Sequence, residues 1–190
     1  MRTSFLLIPV TFLLFAAGLV AQTATPTAPR PRAAAAQRAY KPTATVKDLM
    51  DYIVIPSSEA LFNAVGTTTG PNGDEVKEPK TDADWAAVRE RALLLAEAGN
   101  LLMVPGRHIA GPKDKSNNPG SELEPSQMEA LVAKDRAGFA KKAQGLIDAT
   151  LIALKAIDAR NAEALSNAGG EIDAACENCH LTFWYPNEKK

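Results

Sequence analysis

The sequence predicts an all-α chain folded as an antiparallel four-helix bundle, and three observations predict it. Apolar residues make up 46% of the 190 residues but aromatics only 6%, and the alanine and leucine that dominate lose little rotamer freedom in a helix. Four stretches place apolar residues at three- and four-residue spacing, so each has one face to bury. No stretch sustains the alternation of β-branched residues that marks a strand, so strands are not expected. Four amphipathic helices joined by mostly modest connections bury their stripes by packing antiparallel. The length suits one domain with a real core.

The elements follow in order. Arg2 and the apolar run Phe5 to Val20, with small residues around Ala21, read as a cleaved secretory signal over 1–21. The run is broken by Pro9 and falls short of the ~20 residues a membrane span needs. Residues 22–42, rich in Ala, Pro, Thr and Arg, form a tether. The bundle domain spans 43–186, and 187–190 is a tail. The first helix covers about Thr45 to Val65, with Val46, Leu49, Met50, Ile53, Leu61 and Ala64 near helical spacing. Pro56 should kink or divide it, since proline lacks a backbone donor and crowds the previous turn. Gly66 to Lys80 is a loop, marked by Gly70, Pro71, Asn72 and Gly73. Thr81 or Asp82 caps a second helix that runs to about Met103, where Pro105 and Gly106 end it. A long loop then reaches Glu124. The third helix runs from Pro125–Ser126 to about Asp158 and the fourth from Asn161 to Phe183, stopped by Tyr185–Pro186.

The chemistry lies at the end of the fourth helix, in Cys176-Glu177-Asn178-Cys179-His180. These are the only two cysteines in the chain and one of its two histidines, so the coincidence is informative. Residues three and four apart share a helix face. Cys176 and Cys179 can therefore bond two vinyl groups of one porphyrin while His180 turns toward the iron, giving one covalently attached haem c. Other readings fit less well. A Cys176–Cys179 disulfide would be strained on a helix and leave His180 idle. A redox dithiol would need a strand leading into its helix. Zinc would want four ligands, and His108 with one carboxylate is a poor supply. Export and the motif support each other, because haem of this type is attached outside the cytoplasm.

The sixth iron ligand must come from upstream, since no Met or His follows His180. The candidates are Met50, Met103, Met128 and His108. All of the helix ends involved lie at one end of an up-down-up-down bundle, so level alone does not choose. Met50 lies about one and a half turns inside its helix, whereas Met103 and Met128 sit at helix ends beside a loop, and depth favours Met50. The alternatives are that Met50 packs in the core and that the sixth site is open. Gly169–Gly170 before the motif is either a weak spot in the helix or a point of close approach. Trp184 and Tyr185 cap the bundle or shield a haem edge, and Lys113 to Asn118 reads as a solvated loop.

These residues resemble the cytochrome c′ and cytochrome c556 family, the class II cytochromes c. The likeness is carried by Cys176-x-x-Cys179-His180-x-x-Phe183, by the run from Phe139 through Ala153 to Ala175, and by Asp48-Leu49-Met50. It implies a left-handed bundle, often a homodimer, with His180 as the proximal ligand. Met50 matches the place where c556-type members carry a distal methionine; members with another residue there are five-coordinate and bind nitric oxide or carbon monoxide. The chain departs from the pattern at Trp184, where many members carry a basic residue, and Pro56 and the long second-to-third loop have no assigned counterpart.

The expected function is a periplasmic electron carrier with a low-spin His180/Met50 haem, exchanging electrons with exported redox partner proteins. The alternative is a five-coordinate haem protein that binds nitric oxide or carbon monoxide. An enzyme is not expected, because the sequence offers no distal acid–base pair. The formal net charge of −1 gives no reason to seek nucleic acid or an anionic membrane.

Overall fold

The structure, a computed structural model, describes residues 40–71 and 73–188. The expected signal segment, the expected tether up to residue 39 and the last two residues of the expected tail lie outside the described residues. Four helical arms form the bundle. The first arm is α1 (Val46–Leu49), a π-helical turn (Met50–Val54) and α2 (Ile55–Phe62). The second is α3 (Asp82–Leu102). The third is α5 (Arg136–Asp158), preceded by the shorter α4 (Pro125–Lys134), and the fourth is α6 (Ala162–Phe183). In sequence order α2 packs on α3, α3 along α5 and α5 along α6, and α2 meets α6 to close the bundle. Among the described residues no helix is long and apolar enough to cross a membrane.

Each arm begins where its sequence supplies a cap. The side chains of Thr45 and Thr81 accept from the amides of Asp48 and Asp84, whose carboxylates accept from the two threonine amides in return. Such reciprocal bonds satisfy donors that the first turn leaves orphaned. Asn161 caps α6 through the Ala164 amide at 2.9 Å. The short link from α5 to α6 turns on Arg160, whose φ of 52° lies in the left-handed region.

Two expectations need correction. Gly66 to Lys80 is not a plain loop: β1 (Gly66–Gly70) and β2 (Gly73–Lys77) pair antiparallel, with Gly70 opposite Gly73 and Gly73 at φ 104°. Every residue described in the two strands is exposed. With no buried face there is no apolar alternation to reveal them. The third helix is not continuous but breaks at Asp135, whose backbone (φ −130°, ψ 63°) leaves the helix while its carboxylate caps Gly138 at 2.8 Å. Pro56 divides the first arm, as expected: it stands in the first turn of α2, and the turn before it widens into a π-helix.

The core has two parts. Leu61, Trp85, Leu95, Ala153, Leu165 and Ile172 form one cluster. Leu49, Leu102, Ile109, Val132, Phe139, Ala143 and Phe183 form the other, at the end of the bundle where α6 finishes. Met50 and Ile53 pack against both.

Candidate haem site

Cys176, Cys179 and His180 lie on the last two turns of α6. The helix continues through them because Asn161 starts it cleanly and Phe183 anchors its end. Phe183 is buried and meets Phe139 of α5 edge-on, with ring centroids 5.4 Å apart. The chain then turns back on the motif. The amides of Trp184 and Tyr185 both donate to the His180 carbonyl, at 2.8 and 3.0 Å, and the amide of Leu123 in the long loop donates to the Trp184 carbonyl at 2.9 Å. His180 is bracketed by two aromatic rings as a result. Trp184 stands perpendicular to it at 4.8 Å and Tyr185 is tilted at 5.7 Å, with the Tyr185 hydroxyl donating to Glu177 at 2.6 Å. Both rings were expected to cap the bundle or cover an edge; the imidazole is the nearest aromatic partner of Trp184, and Tyr185 packs on Trp184 at 5.4 Å as well as on His180.

Cys176 and Cys179 are free thiols. Burial pushes both thiols up to about 11, because a thiolate loses its hydration there. Asp173 adds to the rise at Cys176, and Lys142 opposes it at Cys179. Burial lowers the pKa of His180, against a smaller upward pull from Glu177. A neutral imidazole is the form that can bind a metal.

All three side chains line one cavity of about 320 Å³ that opens to solvent. Its walls are mostly apolar: Val46, Met50, Val54 and Phe62 from the first arm, Phe139, Ala143 and Leu146 from α5, and Ile109 and Ala110 from the long loop. Lys47, Lys115 and Lys142 stand among the lining residues, together with Asp51, Glu122 and Asp173. Two thiols and an imidazole on one wall, an apolar slot and amino groups beside it fit a haem. Cys176 and Cys179 would hold its vinyl positions, His180 its iron, and the lysines stand where acidic substituents could be met.

Of the upstream candidates, Met50 and Met128 line this cavity. Met103 packs in the adjoining core instead. His108 is turned away: its Nδ1 lies 3.5 Å from Glu129 Oε1 and its side chain is 79% exposed. The glycine pair is explained by neither close backbone approach nor crowding within the protein. A Cβ on Gly169 would meet the Phe62 ring at an ordinary 3.5 Å, and one on Gly170 would meet nothing within 4 Å.

Several lining residues were missed by sequence reasoning. Lys142 lies three residues after Phe139 on the face of α5 that carries Ala143 and Leu146, so the spacing could have found it. Lys115, Ser116 and Asn117 were read as part of a solvated loop yet line the cavity. No local pattern signals this, because the loop is held by distant contacts. The buried Arg107 donates to the carbonyls of Leu101 and Ala44, and the amides of Val46 and Lys47 donate to the carbonyls of His108 and Ile109.

A family model described as Cytochrome C′ matches residues 54–184. Among solved structures, one titled cytochrome c′ is 20% identical, with a TM-score of 0.45, covering 74% of this chain and 98% of its own. The nitric oxide complex of a leucine-to-alanine mutant of cytochrome c prime from Alcaligenes xylosoxidans is 19% identical, with a TM-score of 0.44, covering 77% and 98%. A comparison with curated proteins finds no match. The family match spans well over half of the sequence and takes in the thiol pair, the histidine and three of the four arms that enclose them, so the chain belongs to the cytochrome c′ family, whose members carry covalently attached c-type haem.

Proposed function

We propose that this chain is a cytochrome c′-like monohaem protein in which His180 is the iron's one strong protein ligand and Met50 covers the opposite, ligand-accepting side. The observation that carries the reading is that Cys176, Cys179, His180 and Met50 all line the same apolar cavity. Family membership favours it over the His180/Met50 electron carrier expected from the sequence. When bound, the haem supplies an iron that takes up a small diatomic ligand or one electron. The protein's own contributions are separate. Cys176 and Cys179 tether the group, and Trp184 and Tyr185 fix the plane of His180. Val54, Phe62 and Phe139 keep water from the slot, and Lys115 and Lys142 offset acidic substituents.

The His180/Met50 carrier is the second reading, favoured by the presence of the Met50 thioether on the cavity wall. Export to the periplasm, a redox partner there, pairing with a second copy and the absence of catalysis belong to the proposal as well. The N-terminal sequence supports export, the family supports pairing, and the lack of a distal acid–base pair in the sequence argues against catalysis. Visible and electron paramagnetic resonance spectra, with carbon monoxide titrated into the ferrous protein, separate the two readings. High-spin ferric iron and ready carbon monoxide binding are expected. Low-spin spectra in both oxidation states, with a thioether charge-transfer band that Met50→Ala abolishes, would establish the carrier instead.

A further inference from the structure

The turn that carries Met50 is π-helical, and the amide of Ile55 donates to the Met50 carbonyl five residues back rather than four. A π turn holds one residue more than an α turn and is found mostly as a single insertion, frequently at functional sites. Its effect here follows from the faces on either side. Downstream, Ile55, Ser58 and Phe62 line the cavity, Ser57 and Leu61 lie in the buried row, and Val54 stands where the two meet, buried and on the cavity wall. Extended backwards at α-helical spacing, the cavity face would next present Asp51 and the buried row would next present Met50. Leu49 would turn to solvent.

The observed arrangement is displaced by one position. Leu49, 3% exposed, completes the buried row, five residues before Val54. Met50 thereby moves to the place on the cavity face that Asp51 would have taken. One residue is worth about 100° of rotation on an α-helix, so the π turn decides whether a thioether or a carboxylate looks into the slot. Asp51 also borders the cavity, but its side chain is exposed and paired with Lys47.

The residue that follows the turn is Pro56. In a regular α-helix its ring would press on the Tyr52 carbonyl, and it has no N–H to offer that carbonyl. Widening the turn relieves the crowding and gives up no hydrogen bond that Pro56 could have made. We infer that Pro56 is a positioning residue: by holding the Met50–Val54 turn in π geometry it sets Met50 on the haem-cavity face and leaves Asp51 exposed beside it, paired with Lys47. The inference rests on the proposed function only in taking this cavity as the haem site, and holds whether Met50 covers the iron or ligates it.

The test uses the haem-loaded protein with methyl-labelled methionine, in the ferrous carbon monoxide form, with the Met50 signal assigned from Met50→Ala. In the wild type the Met50 methyl should carry a large ring-current shift. Pro56→Ala should lose most of that shift, and its carbon monoxide association rate should move several-fold to that of Met50→Ala. Adding Met50→Ala to Pro56→Ala should then change the rate no further. Deleting the exposed Tyr52 in the Pro56→Ala background removes the extra residue, so an α turn would return Met50 to the cavity face. Shift and rate should both recover, which a merely destabilised helix would not do. A shifted wild-type signal that Pro56→Ala leaves in place overturns the role of Pro56 while leaving the haem site intact. A wild-type signal at its ordinary position overturns the haem site, and the inference with it.

Discussion

At the scale of single residues, the side chain with most structural consequence at the site is one without haem chemistry. Phe183 is the last residue of α6, buried, edge-on to Phe139, and it fixes the height at which the thiols and His180 meet the cavity. Truncating a buried phenylalanine costs about 3–5 kcal/mol. Phe183→Ala should lose that much in urea unfolding and should also broaden the Soret band, because the end of α6 is no longer held. The motif itself was legible, since two cysteines and a histidine at that spacing leave few alternatives. The aromatic bracket around His180 was not. Trp184 and Tyr185 lie just beyond the helix, and only the turn that sends both amides back to the His180 carbonyl brings their rings to the imidazole.

At the scale of elements, caps and close approaches set where each arm begins and how near it lies to the next. Asp84 is held below its ordinary value of 3.8 mainly by accepting from the Thr81 amide, then from the Thr81 side chain and the Lys80 amide. A carboxyl whose pKa is depressed by folding stabilises the folded state above its unfolded value, and that contribution is lost as pH falls through the folded value. Asp84→Asn should therefore be less stable than wild type at neutral pH, and the two should converge in thermal unfolding only as the pH falls from 3.8 through the depressed folded value. Between the second and third arms, Gly99 admits the side chain of Ile147: a Cβ there would lie 2.5 Å from Ile147 Cγ1 and 3.2 Å from the Ala143 carbonyl. The clash outweighs the gain in helix propensity, so Gly99→Ala should lower stability by about 1–2 kcal/mol in denaturant unfolding.

At the scale of the molecule, the long loop between the second and third arms ties the cavity end of the bundle together. Arg107, 6% exposed, donates to Leu101 of α3 and to Ala44 before α1, and burial lowers its pKa. Next to it, the Ile109 amide donates to Glu129 of α4 at 2.7 Å, and Leu123 is bonded to Trp184. One segment thus ties together all four arms at the cavity that Cys176 and Cys179 line. Arg107→Met keeps much of the stem but removes the charged donors, at a cost of about 1.5–3 kcal/mol. Hydrogen exchange should accelerate at the amides of Val46 and Lys47, which donate to His108 and Ile109. A variant with unchanged exchange there would show that the loop is held by other contacts.

What the sequence determined by itself was what local spacing encodes. The apolar stripes specified helices and their number, the capping residues specified where the second and fourth arms begin, and the Cys176–Cys179–His180 spacing specified the chemistry. Each of these signals lies within one or two turns of chain, so no distant partner is needed to interpret it. Tertiary structure decided the rest. The exposed hairpin buries nothing and so leaves no periodic trace. The break at Asp135 and the π turn before Pro56 shift the helical register through backbone geometry that apolar spacing does not display. Met50 shows the distinction most sharply. Its identity was visible in the sequence, but the face it occupies depends on a one-residue shift of the helix, which shows only once Leu49 is seen in the buried row.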